Sequence, residues 1–409
     1  MSAPPPDPPA TPAPGGDPAR WPRARPLCLL CVTAGFFLAY SRSLSWGWLG
    51  LDDWRWLVSN PHLGHGWASV RWSLTDVEFG RRWNPVLWLV ACACGAPTAL
   101  KFHVLVFVLG LVLSLLVTEA YGRALRPGWA LPAALLFALS PLRLEVFTWG
   151  MGFGYETVGI FLCAAWLLRR RPWWSALFVV LALLTYPQAA GAAVLFCLVN
   201  RRRLAGWAVG AFLLALVVAQ YEIRMRYGVV AWHHRYDYLP LILPHYALNL
   251  FFPFATVPVF PSLYYPLMYA GGLIIVLFAA FRPLPVACWV LLFAPTLLAS
   301  VTEAFWFGAR YSLVPSMAAY GWLVYELSRL NRPFLLRLLW LFVLAFLTLN
   351  LLDRGMSGGV GLCAQVAKQE AALVGIDFDL LRTIRDQPPA EGGQPPPAGA
   401  GEPAPPARR

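Results

Sequence analysis

Between residues 27 and 352 the chain is built from apolar runs separated by short clusters of arginine. A helix needs roughly 20 apolar residues to cross the hydrocarbon core of a bilayer. Against that length the sequence offers about eleven candidate spans. They lie near 27–44, 99–120, 130–146, 155–168, 173–186, 189–200, 204–222, 264–281, 284–301, 312–328 and 333–352. A backbone inside lipid must satisfy its own polar groups, so spans of this kind are helices. Composition agrees: 59% of residues are hydrophobic and 13% are charged, where a soluble domain carries about 25% charge. A soluble globular enzyme and a disordered chain are both excluded. The expected fold class is an all-α polytopic membrane protein.

The net charge of +12 then becomes a question of position. Arg20, Arg23 and Arg25 precede the first run, and Arg123 and Arg126 follow the second. Arg169 to Arg171, Arg201 to Arg203, Arg282, and Arg329 with Arg332 and Arg337 mark later junctions. Every second junction is basic, which predicts that these face the cytoplasm and that the N-terminus is cytoplasmic. The charge is a topology signal, not a nucleic-acid surface. Lys101 and Lys368 are the only lysines, and Ala, Gly and Pro are abundant. That bias suggests a GC-rich bacterial genome and hence a bacterial inner membrane.

The expected organisation follows. Residues 1–26 form a disordered cytoplasmic tail, Pro/Ala-rich and unlike a signal peptide, and 27–352 a multi-span membrane domain. Residues 353–386 form an extracytoplasmic segment with an amphipathic helix near 364–386, and 387–409 a disordered Pro/Gly-rich tail. Two long stretches, 45–98 and 223–263, fall on the outer face and are rich in Trp, Tyr, His and Pro. Most of the eight cysteines lie inside apolar runs and read as small apolar residues.

The acids concentrate on the outer face, so the chemistry is expected there. Asp52 and Asp53 are adjacent carboxylates just after the first run. Such a pair repels itself at a membrane surface unless a cation, a basic partner or proton chemistry uses it. One of the two could act as general base toward an acceptor hydroxyl; helix N-capping is the bland alternative. Carboxylates suit Mg²⁺ or Mn²⁺, so a divalent cation is the one cofactor this pair would accept. The His233, His234, Asp237 and His245 group matches no metal motif. Ser140-Pro141-Leu142-Arg143-Leu144-Glu145, followed by Gly154-Tyr155-Glu156, forms the turn between the third and fourth runs. Charge at this depth is expensive, so Arg143 and Glu145 either neutralise each other or bind substrate. Arg310 and Tyr311 stand at the outer entrance of the tenth run. An arginine fork there binds phosphate, or the two residues anchor headgroups.

Taken in order, these segments resemble a known family. Leu51-Asp52-Asp53-Trp54, Asn60-Pro61-His62 and Arg82-Trp83-Asn84-Pro85 are similar to the first outer loop of TPR-containing membrane O-mannosyltransferases. Those belong to the GT-C superfamily of polyprenyl-phosphate-sugar-dependent glycosyltransferases. Leu135 to Glu145 resembles the family's second outer loop, and Ala309-Arg310-Tyr311-Ser312-Leu313-Val314-Pro315-Ser316 its late element. The likeness covers roughly residues 30–350, and no TPR repeat is found. It implies a GT-C-like fold with the site on outer loops. Asp52 and Asp53 would be catalytic, Asp52 as the base. Glu145, Arg143, Arg310, Tyr311, His62, Trp83 and Asn84 would bind substrate. The implied reaction moves a mannose-like hexose from a polyprenyl-phosphate carrier to a glycan, lipid or protein acceptor, with inversion. A non-enzymatic transporter or flippase for lipid-linked glycans, or an accessory subunit of the cell envelope, is the competing expectation.

Overall fold

The computed structural model describes residues 21–45, 67–68, 71, 98–148, 152–227, 270, 272–273, 276–277, 279–302, 312–330 and 332–356. Among these residues the chain is entirely helical. The helices are α1 (Trp21–Tyr40), α2 (Ala99–Ala124), α3 (Pro127–Ala138), α4 (Leu142–Thr148), α5 (Phe153–Leu167) and α6 (Pro172–Thr185). They continue with α7 (Ala190–Val199), α8 (Leu204–Tyr227), α9 (Pro283–Thr302), α10 (Leu313–Leu330) and α11 (Pro333–Met356). Short 3-10 turns at Ser41–Ser45 and Pro187–Ala189 follow α1 and α6.

Proline punctuates the starts: α3, α6, α9 and α11 each open on one, where the missing N–H costs nothing and φ is already helical. Thr98 caps α2, its Oγ1 accepting from the Lys101 N–H at 3.4 Å. Among the described residues, three stretches are long and apolar enough to cross a membrane: Trp21–Ser45, Ala99–Ala124 and Pro333–Leu351. Shorter apolar stretches include Phe153–Leu167, Pro172–Thr185, Leu204–Val218 and Pro283–Leu292. The outward face of α2 is a stripe of Leu100, Val104, Val108 and Val112, all exposed. Apolar side chains pointing out at this period suit lipid as solvent.

Most of the expected runs coincide with helices, within a few residues. One does not: 130–146 is broken between Ala138 and Leu142 into α3 and α4. Pro141 is the cause. It has no N–H, its ring clashes with the carbonyl four residues back, and it pushes Ser140 out of the helical region. The run 264–281 falls largely outside the described residues. So do most of 45–98, all of 228–263, the 364–386 segment and both tails.

The helices α1 and α2 are antiparallel. Arg25 at the start of α1 meets Glu119 near the end of α2, and Phe36 near the end of α1 meets Phe107. The helices α2 and α5 run parallel, with Phe102 beside Phe153 and Leu113 beside Gly159. A Cβ on Gly159 would sit 2.6 Å from Leu113 Cδ2, so glycine sets the approach of these two helices. Helix α6 returns against α5, with Ser175 donating to the Ala165 carbonyl at 2.8 Å. The main core joins α1 to α5 with α10 and α11, and a second cluster joins α5 to α8 with Val314 of α10.

Candidate functional site

The break between α3 and α4 is the most polar point of the core. An interrupted helix leaves carbonyls without partners, and inside a membrane bundle they must be met by protein. Here they are. The Leu139 carbonyl accepts from Asn350 Nδ2 of α11 at 2.7 Å. The Ser140 carbonyl accepts from the Tyr40 hydroxyl at the end of α1 at 2.9 Å. The Ser140 hydroxyl lies 3.2 Å from the Tyr320 hydroxyl of α10. At the other end of α4, His103 Nδ1 of α2 lies 3.1 Å from the Phe147 carbonyl. A carbonyl can only accept, so Nδ1 carries the proton. Four helices far apart in sequence thus hold one short segment.

Behind the break lies a buried ion pair. Arg143 and Glu156 have no solvent exposure. Arg143 Nη2 donates to both carboxylate oxygens, at 2.8 and 2.9 Å, and to the Gly110 carbonyl at 2.9 Å. Nη1 donates to the Ser114 hydroxyl at 2.6 Å, and Ser114 in turn donates to Gly110. The guanidinium is ringed by Phe36, Phe137, Phe147 and Tyr40, with centroids 4.9 to 6.0 Å from its Cζ. Gly110 makes room for this: a Cβ there would lie 2.6 Å from Phe147 Cζ and 3.0 Å from Arg143 Nη2. The arrangement locks α4 onto α2 and α5. Nε of Arg143 is without a hydrogen-bond partner among the described residues.

Of the residues singled out from sequence, Arg143 lies at this centre, and its ionic partner is Glu156. Glu145 belongs to α4, with its side chain outside the described residues. Asp52, Asp53, His62, Trp83, Asn84, Arg310 and Tyr311 lie outside the described residues as well. Tyr40, His103, Ser114, Tyr320 and Asn350 were not singled out. Asn350 carried a usable signal, since a lone amide in the apolar run 333–352 needs a partner. Among the described residues no group of three or more His, Cys, Asp or Glu could hold a metal ion. Cys28, Cys31, Cys163, Cys197 and Cys288 are free thiols.

No family model, no curated protein and no solved structure matches the chain. What the described residues define is therefore a class by architecture alone: an all-helical protein with three helices long and apolar enough to cross a membrane and a polar, ion-paired helix break in its core.

Proposed function

We propose that the chain is a multi-pass inner-membrane glycosyltransferase of the GT-C kind, with about eleven spans, that uses a polyprenyl-phosphate hexose. Its N-terminus and arginine junctions would face the cytoplasm, and its acidic loops the outside. The observation that supports the reading best is the knot at Ser140. Tyr40 precedes the segment carrying Asp52, Ser140 belongs to the second motif, and Tyr320 lies on the helix that follows Arg310. The hydrogen bonds tie these three segments together. Loops that leave such a knot start near one another, as a shared site needs. In the reaction the acceptor oxygen attacks the anomeric carbon, its proton passes to Asp52, and the polyprenyl phosphate departs with the electrons of the broken C–O bond. One acid and one in-line displacement give inversion.

The test is transfer of hexose from a synthetic polyprenyl-phosphate hexose by the purified full-length protein. Wild type should transfer, and Asp52→Asn should lose on the order of 10² to 10⁴ in rate, the usual contribution of a general base. Full activity in that variant would end the catalytic assignment.

A second reading has its own support. A buried ion pair beside a discontinuous helix is a common feature of transport sites. Arg143 and Glu156 have that setting, which favours a transporter or flippase for lipid-linked glycans. Proteoliposomes that translocate the carrier lipid without sugar transfer would select it. Absence of both activities would point to an accessory subunit.

A further inference from the structure

The end of the bundle opposite the helix break, about 30 Å away along the 20 residues of α1, carries arginines that its acids do not balance. Glu119 is shared by Arg25 Nε at 2.9 Å and Arg123 Nη2 at 2.7 Å. Arg169 and Arg170, in the turn after α5, have no carboxylate partner among the described residues. Arg169 lies over the Trp166 ring, its Cζ 4.1 Å from the centroid, and donates to the Trp166 carbonyl. Burial, with repulsion from Arg170 and Arg123, holds its guanidinium below the ordinary value, so these cations feel one another. The ends of α2 and α5 offset part of the charge through their dipoles, about half a charge each.

A second, independent feature sits at the same end. Trp21 is 8% exposed and packs against α2 there. Its ring occupies the place a side chain on Gly122 would take, one residue from Arg123. Trp21 and Arg25 are four residues apart and share a face of α1. Guanidiniums without acids are complemented by an anion with several oxygens. Trp173 and Trp174, each 55% exposed at the start of α6, add the aromatic belt found at the headgroup layer. The anion available at that depth is a lipid phosphate.

We infer that the phosphate headgroup of an anionic membrane lipid binds at this end, at the Arg169-Arg170 turn beside Arg123. The site is independent of the glycosyltransferase reading and rests only on the membrane class.

Native mass spectrometry of the full-length protein in detergent, titrated with phosphatidylglycerol or phosphatidylcholine, tests it. Wild type should prefer phosphatidylglycerol. Arg169→Ala with Arg170→Ala should cut that preference roughly thirtyfold, as expected for two basic residues near a lipid surface. Arg201→Ala with Arg202→Ala, at another basic junction, should leave it within about twofold. An unchanged preference in the Arg169/Arg170 variant overturns the site. An equal loss in the Arg201/Arg202 variant overturns it too, because net charge alone would then explain the binding. Displacement of the lipid by millimolar inorganic phosphate overturns the lipid assignment. A melting temperature in phosphatidylcholine that matches wild type shows that each variant is folded.

Discussion

Two proline-marked interruptions lie on the same chain and are held in opposite ways. At Ser140-Pro141 local turns, with the Arg143 N–H donating to the Ser140 carbonyl at 3.0 Å, are joined by side chains 100, 180 and 211 residues away in sequence, from α1, α10 and α11. At Tyr186-Pro187 the backbone largely serves itself. The Tyr186 N–H donates to the Ala182 carbonyl, and the Ala189 N–H donates back to Tyr186 at 3.1 Å. One tyrosine pair, Tyr155 with Tyr186 at 3.0 Å, bridges it, and the Nε2 of the buried Gln188 has no hydrogen-bond partner among the described residues. A break tied to many helices senses the whole bundle. A break closed by local turns leans on close backbone packing instead, as Gly191 does against the Leu291 carbonyl.

The contrast can be broken experimentally, beginning with the ion pair. Arg143→Met strands a buried carboxylate and should cost about 3–5 kcal/mol, read as a shift in unfolding by denaturant in detergent. Arg143→Met with Glu156→Leu should recover most of it, since a buried pair is often replaceable by apolar groups of similar volume. No recovery would mean that the charges, and not their mutual neutrality, are needed. Near the second interruption, Gly191→Val should cost about 1–3 kcal/mol. Even a Cβ there would lie 2.1 Å from the Leu291 carbonyl oxygen, and backbone cannot swing aside. Tyr40→Phe and Asn350→Leu each remove one long-range hydrogen bond at the first break. Losses of about 0.5–2 kcal/mol are expected, the range for hydrogen bonds between membrane helices. Their combined loss should depart from the sum if they hold one element. Smallest of all, Gln188→Leu should change stability by no more than about 0.5 kcal/mol. A large loss there would show that the second interruption is also held from afar.

The helices were legible because lipid-length apolar runs leave few alternatives. The rest is hidden from sequence for physical reasons. The run 130–146 is apolar throughout its length, so hydropathy hides the break; Pro141 was the mark, through its effect on Ser140. Arg143 was weighed against Glu145, the nearest acid in sequence. Residues two apart on a helix do not face each other, whereas Glu156 returns on the next helix. The knot was least legible, because contacts between Tyr40, Ser140, Tyr320 and Asn350 depend on how distant helices pack. The acidic pair at Asp52 and the arginine at Arg310 rest on the resemblance and the transfer assay.

The spacing of these partners also orders how the protein is made. Arg143 and Glu156 leave the ribosome within 13 residues of each other, so their charges can enter the membrane as one neutral hairpin. Gly110 and Ser114 have already been synthesised and await the guanidinium. Tyr320 and Asn350 arrive only 180 and 211 residues after the carbonyl segment they complete. Until then the interruption lacks two of the polar partners that the finished bundle gives it.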